Sequence, residues 1–341
     1  MFKLHSPLRL VQFKEDDGVR RVGVVGEKDN DDRLFIVDGA RSTYELANEA
    51  IKSHSSLEEI AQSRVNGKTA EYGKIVSENR LLPPLDHPDP AHFLISGTGL
   101  DHLGSAIARD AMHAKKEEEE AKLTDSMKMF RVGLEGGKPG KGHIGAQPEW
   151  FYKGDGSCVV PPGHPLHMPS FALDGGEEAE IVGLYINGES GTFRVGFALG
   201  NEFSDHVLEK KNYLYLAHSK LRECSIGPEL LIGDLPQSVT GSVKILRKSK
   251  EIWSSTFLTG EANMVHGIAN LEHHHFKYEQ FRRPGDVHCH FFGAAVLSFT
   301  SGVKTERGDI FVISSPTFGR ELKNELSVEG EHETPLAVES L

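Results

Sequence analysis

The stretch Glu177-Glu-Ala-Glu-Ile-Val-Gly-Leu-Tyr-Ile-Asn-Gly-Glu-Ser-Gly-Thr-Phe-Arg-Val-Gly-Phe-Ala-Leu-Gly-Asn-Glu-Phe-Ser-Asp205 decides how the rest of the chain is read. Side chains alternate across an extended strand, so Glu178 and Glu180 share a face with Val182, Leu184 and Ile186. Asn187-Gly188 followed by Glu-Ser-Gly is a turn signal between two apolar runs, and it predicts a hairpin. With pairing centred near Gly188 and Glu189, position 200 comes opposite Glu178, and Glu202 arrives just beyond the paired segment. Glu178, Glu180 and Glu202 then converge. Carboxylates held together raise one another's pKa unless a cation lies between them. Ligation by oxygen alone suits Mg²⁺, or Mn²⁺, with coordination positions left for water and substrate. Spacing alone leaves one other reading open, a solvated acidic strand end.

Composition bounds the rest. The 341 residues are 38% hydrophobic and 26% charged, which is ordinary for a globular protein able to bury a sizeable core. A formal net charge of −12 argues against non-specific binding to nucleic acid or an anionic membrane, both of which need a basic surface. An anionic substrate must therefore find a local positive site. No apolar run reaches the ~18 residues of a membrane span, and the opening Met-Phe-Lys-Leu-His is too polar for a signal peptide, so a cytoplasmic location is expected. Cys158, Cys224 and Cys289 are few and far apart, as suits structural thiols in a reducing compartment.

Taken in order, residues 7–38 alternate as three short strands joined by Asp, Gly and Asn turns. Ser42 or Thr43 caps a helix over about 44–54, and Ser55 with Glu58 opens a second. The four prolines within Leu81–Pro90 make a rigid connector, which divides the chain into a small β-rich N-terminal domain (1–85) and a larger domain (86–328). An acidic, loose tail follows at 329–341. Residues 114–122 are a charge run with the pattern of a solvated helix face. The Gly-rich, basic stretch after Ser126 is expected to be a loop that closes over an anionic ligand. Residues 241–258 form another hairpin, 261–278 have helical spacing, and 287–300 alternate as a buried strand. His273, His274, His275, His288 and His290 are dense enough to suggest Zn²⁺, but they lack a His-Glu-x-x-His spacing. Packing, or hydrogen bonding to nearby acids, is the expectation there.

Gly196-Phe-Ala-Leu-Gly-Asn-Glu-Phe-Ser-Asp205, Asn212-Tyr-Leu-Tyr-Leu-Ala-His-Ser-Lys220 and Cys224-Ser-Ile-Gly-Pro228 together resemble the fumarylacetoacetate hydrolase superfamily, and within it the 2-keto-3-deoxy-pentonate dehydratase branch. The resemblance implies an α+β fold, a β-rich rolled mixed sheet following a small N-terminal domain. It assigns Glu178, Glu180 and Glu202 to the metal, the last in place of a more usual Asp. It also implies a catalytic Lys220, an acid/base His102, and substrate contacts from Tyr152, Lys153, Ser298, Thr300 and Ser301. Ser105 stands where the carbon–carbon hydrolases of the superfamily tend to carry a Glu, three residues after the His.

What the resemblance implies is a Mg²⁺-dependent dehydratase acting on a 2-keto-3-deoxy sugar acid, a small-molecule 2-keto acid substrate, and a homodimer. The other enzymatic reading is hydrolysis of a C–C bond in acylpyruvates or 2,4-diketo acids. A sugar-acid-binding protein without turnover is the third.

Overall fold

The computed structural model describes residues 7–26, 32–104, 124–330 and 335–341. Three strands, β1 (Arg9–Lys14), β2 (Arg20–Val25) and β3 (Arg33–Val37), open the chain, followed by helices α1 (Thr43–Ser53) and α2 (Leu57–Ser63). Ser42 caps α1 by accepting the Glu45 N–H. Ser56 and Glu59 form the reciprocal capping box of α2, one residue later than expected from Ser55 and Glu58. Strand β4 (Val65–Glu71) and helix α3 (Tyr72–Ser77) complete this part.

Beyond the prolines come β5 (Phe93–Gly97), α4 (Asp125–Gly136), β6 (Phe151–Asp155), β7 (Val159–Val160) and β8 (Leu166–Met168). The long hairpin is β9 (Ala179–Gly188) with β10 (Gly191–Asn201), and after it lie α5 (His206–Lys211), α6 (Leu216–Lys220), β11 (Cys224–Ile226) and β12 (Leu230–Leu231). A second hairpin, β13 (Val239–Arg247) and β14 (Lys250–Thr259), precedes α7 (Ile268–Phe276), β15 (Val287–Phe291), β16 (Ile310–Ser314) and β17 (Leu322–Val328). None of these helices is long and apolar enough to cross a membrane.

One mixed sheet runs β4-β3-β2-β1-β12-β10-β9-β15-β5-β6, and a second runs β14-β13-β16-β17-β8. The fold is α+β, as expected. The N-terminal strands do not close on themselves: β1 pairs with β12, Arg9 opposite Leu231, so the large sheet crosses the proline connector. The core is shared in the same way. Val182, Leu184 and Ile186 of β9 pack with Leu10, Val22 and Leu46 on one side of the sheet. Ile181, Phe197 and Leu199 pack with Val243, Phe257 and Leu271 on the other. That two-sided burial explains why β9 and the second half of β10 are largely apolar on both faces.

Three local expectations are corrected. The stretch after Ser126 is a loop only from residue 137 on; up to Gly136 it is helix α4, which Thr124 caps and Phe130 anchors. The helix expected over 261–278 begins only at Ile268, after Gly267. The strand expected over 287–300 ends at Phe291, where Gly293 takes a φ of +91° and turns the chain away. The charge run and Ser105 lie outside the described residues.

Candidate active site

The register of β9 and β10 builds the site. Gly191 pairs with Gly188 across a tight turn, and a bulge between Arg194 and Gly196 adds one residue to β10. Gly200 therefore lies opposite Glu180, not Glu178 as the turn-centred count predicts. The two small offsets sum to two residues, which preserves the faces and improves the convergence. Beyond β10 the pairing continues, the Glu202 N–H donating to the Glu178 carbonyl at 3.0 Å and Ser204 facing Gly176. Glu178, Glu180 and Glu202 are all buried, with oxygens that lie within 4.8 Å of one another.

Two cations and an imidazole surround two of these carboxylates. Lys220, at the end of α6, reaches both Glu178 and Glu202, and its Nζ donates to Ser204 Oγ at 3.0 Å. Lys153 donates to the other Glu202 oxygen at 2.7 Å and to the carbonyls of Phe203 and Lys220 at 2.9 and 3.0 Å. His206 lies 3.2 Å from Glu178 and 3.4 Å from Asp174, stacked on Phe299. Burial works against the His206 charge, but Asp174 and Glu178 outweigh it and push its pKa up to about 10. Burial likewise opposes the Lys220 ammonium, and Glu178 and Glu202 more than restore it, so the group stays protonated.

The carboxylates respond differently. Burial would raise Glu178, yet Lys220 and His206 hold it well below the usual range. Glu202 is raised by burial in spite of Lys153 and Lys220. Glu180 is pushed well above its ordinary value by burial and then by its two acidic neighbours. Among the described residues no Lys, Arg or His forms an ion pair with it; its Oε2 accepts the Gly293 N–H at 2.7 Å. Gly293 is required there, since a Cβ at that φ would meet the Thr98 carbonyl at 2.8 Å. An all-oxygen, buried, net-repulsive donor set of this kind fits a hard divalent cation.

The cleft over the triad is small, about 20 Å³, and is walled by Phe151, Leu297, Thr98 and Glu209. Glu209 is buried on α5 between the two quoted motifs and had no sequence signal of its own. His206 and Thr98 were equally unmarked.

Several expected substrate contacts lie elsewhere. Tyr152 and Lys153 are adjacent on β6 and so point to opposite faces; Lys153 is buried against Glu202 while Tyr152 is exposed. Ser298 is buried, donating N–H and Oγ–H to Glu177 at 2.9 and 2.7 Å. Thr300 bonds the Leu297 carbonyl, and Ser301 accepts from the Trp253 indole. These three belong to a 3₁₀ turn and do not line the cleft. His102 does not line it either. Its ring is 2% exposed, Nε2 is 3.0 Å from Thr259 Oγ1, and burial lowers its pKa to about 4. Within the histidine cluster the bonds described do not run to acids: Trp150 donates to His275, His275 meets His288, His290 lies between Ser96 and Thr98, and His274 accepts from the Lys277 ammonium at 3.1 Å.

No family model matches this sequence, and a search of curated proteins returns no match. Solved structures do match. A 2-keto-3-deoxyarabinonate dehydratase is similar with a TM-score of 0.68 at 17% identity, over 94% of this chain and 99% of that one. A 2-keto-3-deoxy-D-arabinonate dehydratase complexed with magnesium and 2,5-dioxopentanoate is similar at 0.66 and 16%, with the same coverage. The 2-hydroxyhepta-2,4-diene-1,7-dioate isomerase from Mycobacterium marinum is similar at 0.59 and 14%, over 95% of this chain and 99% of that one.

Proposed function

We propose that this chain, whose fold is that of the fumarylacetoacetate hydrolase superfamily, is a metal-dependent enzyme that dehydrates a 2-keto-3-deoxy sugar acid. The observation that carries the reading is the buried triad Glu178, Glu180 and Glu202 with the Lys220 ammonium spanning two of its members. The magnesium and 2,5-dioxopentanoate held by one solved structure of the same fold support it.

Glu178, Glu180 and Glu202 would hold the cation, which when bound supplies Lewis acidity to the carboxylate and keto oxygens of a 2-keto acid. Lys220, kept protonated beside them, stabilises the negative charge that develops on the keto oxygen as the C3 proton leaves. Glu209 faces the same cleft and is the described carboxylate left to accept that proton and return it to the departing C4 hydroxyl, so one water is lost. Phe151 and Leu297 restrict bulk water. Lys153 positions Glu202 and does not touch substrate.

The test is NMR of the protein with Mg²⁺ and a panel of 2-keto-3-deoxy-pentonates, hexonates and acylpyruvates, with and without EDTA. From a pentonate, loss of water leaves a 2-keto-3-ene that tautomerises to the semialdehyde as a C5 proton is lost and C3 regains one; that product, lost on chelation, is expected. Release of pyruvate from acylpyruvates would make the enzyme a hydrolase instead. Glu180→Gln is expected to abolish turnover with an unchanged circular dichroism spectrum, and an unaffected rate would overturn the metal assignment. Glu209→Gln is expected to lower kcat by about 10²-fold or more with little change in KM; wild-type kcat would remove it from the mechanism.

A further inference from the structure

A second cavity, about 320 Å³, opens beside Trp150 and shares Thr98 with the carboxylate cleft. The cleft holds about 20 Å³, enough for one or two water-sized groups. The neighbouring cavity has the size of a small-ligand pocket.

Its chemistry is specific. Trp150 Nε1 donates to His275 Nδ1 at 3.2 Å, which pins the indole plane. Because Trp only donates, His275 accepts at Nδ1 and carries its proton on Nε2, 3.0 Å from His288. His290 is held between the hydroxyls of Ser96 and Thr98 at 2.9 and 2.8 Å. Burial keeps these rings neutral, lowering His275 to about 4 and holding His290 well below the ordinary imidazole value. Among the described residues the imidazoles do not converge as metal ligands; only the carboxylate triad does. No Asp, Glu, Lys or Arg is among the described residues that line the cavity. Gln147 gives its oxygen to Lys277 at 2.7 Å, and among the described residues its amide nitrogen has no hydrogen bond. Gln280 and Tyr278 are exposed at the mouth.

A pocket walled by rings and rimmed by amides, with the Lys277 ammonium outside its lining and turned to Gln147 and His274, suits a neutral polyhydroxylated group, whose C–H faces stack on rings while its hydroxyls take the amides. We propose that this cavity binds a polyol or sugar chain, with Trp150 and Tyr278 against its carbon face and Gln147 and Gln280 on its hydroxyls. The inference deepens the sugar-acid reading: the hydroxylated tail of the substrate lies here, past Thr98, while its 2-keto acid end reaches the carboxylates. It rests on that reading for the identity of the tail.

Trp150 and Trp253 are the two tryptophans of the chain, so Trp253→Phe makes Trp150 the reporter. Titration of this variant with xylitol and with ribitol is expected to give a saturable fluorescence change, weakened at least tenfold by Tyr278→Ala at the exposed rim. Calorimetry of the unmodified protein with the same polyols guards against a poorly folded Trp253 variant. No saturable heat or fluorescence change overturns the proposal. A response to 3-phenylpropanol in place of the polyols also overturns it, in favour of an apolar ligand. Turnover is not part of this readout. Polyol binding by a protein inactive on every 2-keto acid supports the cavity and sinks the dehydratase, whereas an active dehydratase blind to polyols does the reverse.

Discussion

Glu180 and Glu202 are both buried acids, but what balances them differs. Glu202 is held by Lys153 and Lys220, whereas among the described residues Glu180 receives only a backbone N–H. Lys153 also satisfies two buried carbonyls, one from Phe203, whose φ of +27° is strained for a residue with a side chain. Replacing Lys153 with Met keeps the volume but leaves those carbonyls and one carboxylate oxygen without their donor. A loss of about 3–5 kcal/mol in unfolding free energy is expected, measured by urea titration, since a buried ion pair that loses one partner leaves an uncompensated charge. A loss below about 1 kcal/mol would show that Lys153 is not what holds Glu202 in place. The resemblance pointed to this lysine for a different task. Alternation along β6 already separates Tyr152 from Lys153, so a strand reading of 151–155 could have removed one of them from the substrate.

At the level of elements, the hairpin was legible because two periodicities agree in it, the turn chemistry at Asn187-Gly188 and the shared face of Glu178 and Glu180. The bulge at Arg194 to Gly196 was not, because it falls where β10 passes from its exposed first residues into its buried half, so no single alternation runs through it to be broken. The same continuity of apolar residues concealed the end of β15, where Gly293 breaks the strand to deliver its N–H to Glu180. Glu209 and His206 escaped notice because they lie on a six-residue helix, too short for a periodic signal, and reach the site only through the fold. Gly293→Ala tests whether that break matters. The substitution places a Cβ 2.8 Å from the Thr98 carbonyl at a φ of +91°. It is expected to cost roughly 1–3 kcal/mol of stability and to weaken Mn²⁺ binding measured by calorimetry. Unchanged Mn²⁺ affinity would show that the Gly293 contact does not shape the triad.

Across the whole molecule, buried histidines make stability depend on acid. His102 and His275 are each lowered to about 4 by burial, and burial also holds His288 and His290 well below the ordinary imidazole value. Above pH ~6.5, the ordinary imidazole value, neither the folded nor the unfolded chain protonates them and their stabilising contribution is complete. For His102 and His275, between ~6.5 and 4 the unfolded chain takes up protons that the folded chain refuses, so stability falls as pH falls, by about 1.4 kcal/mol per pH unit for each of the two. The raised Glu180 and Glu202 act in the opposite sense, because the folded chain binds their protons more readily, and the net slope mixes both. A difference between two proteins removes that mixture. In His102→Gln the carboxylates are untouched while one imidazole is gone, so the slope of unfolding free energy between pH 6 and 5 is expected to be shallower than wild type by about 1.4 kcal/mol per unit. Urea denaturation at several pH values measures it. Equal slopes would mean that His102 titrates alike in both states, as a solvent-reachable acid/base does, and would return it to consideration for the proton transfer here given to Glu209.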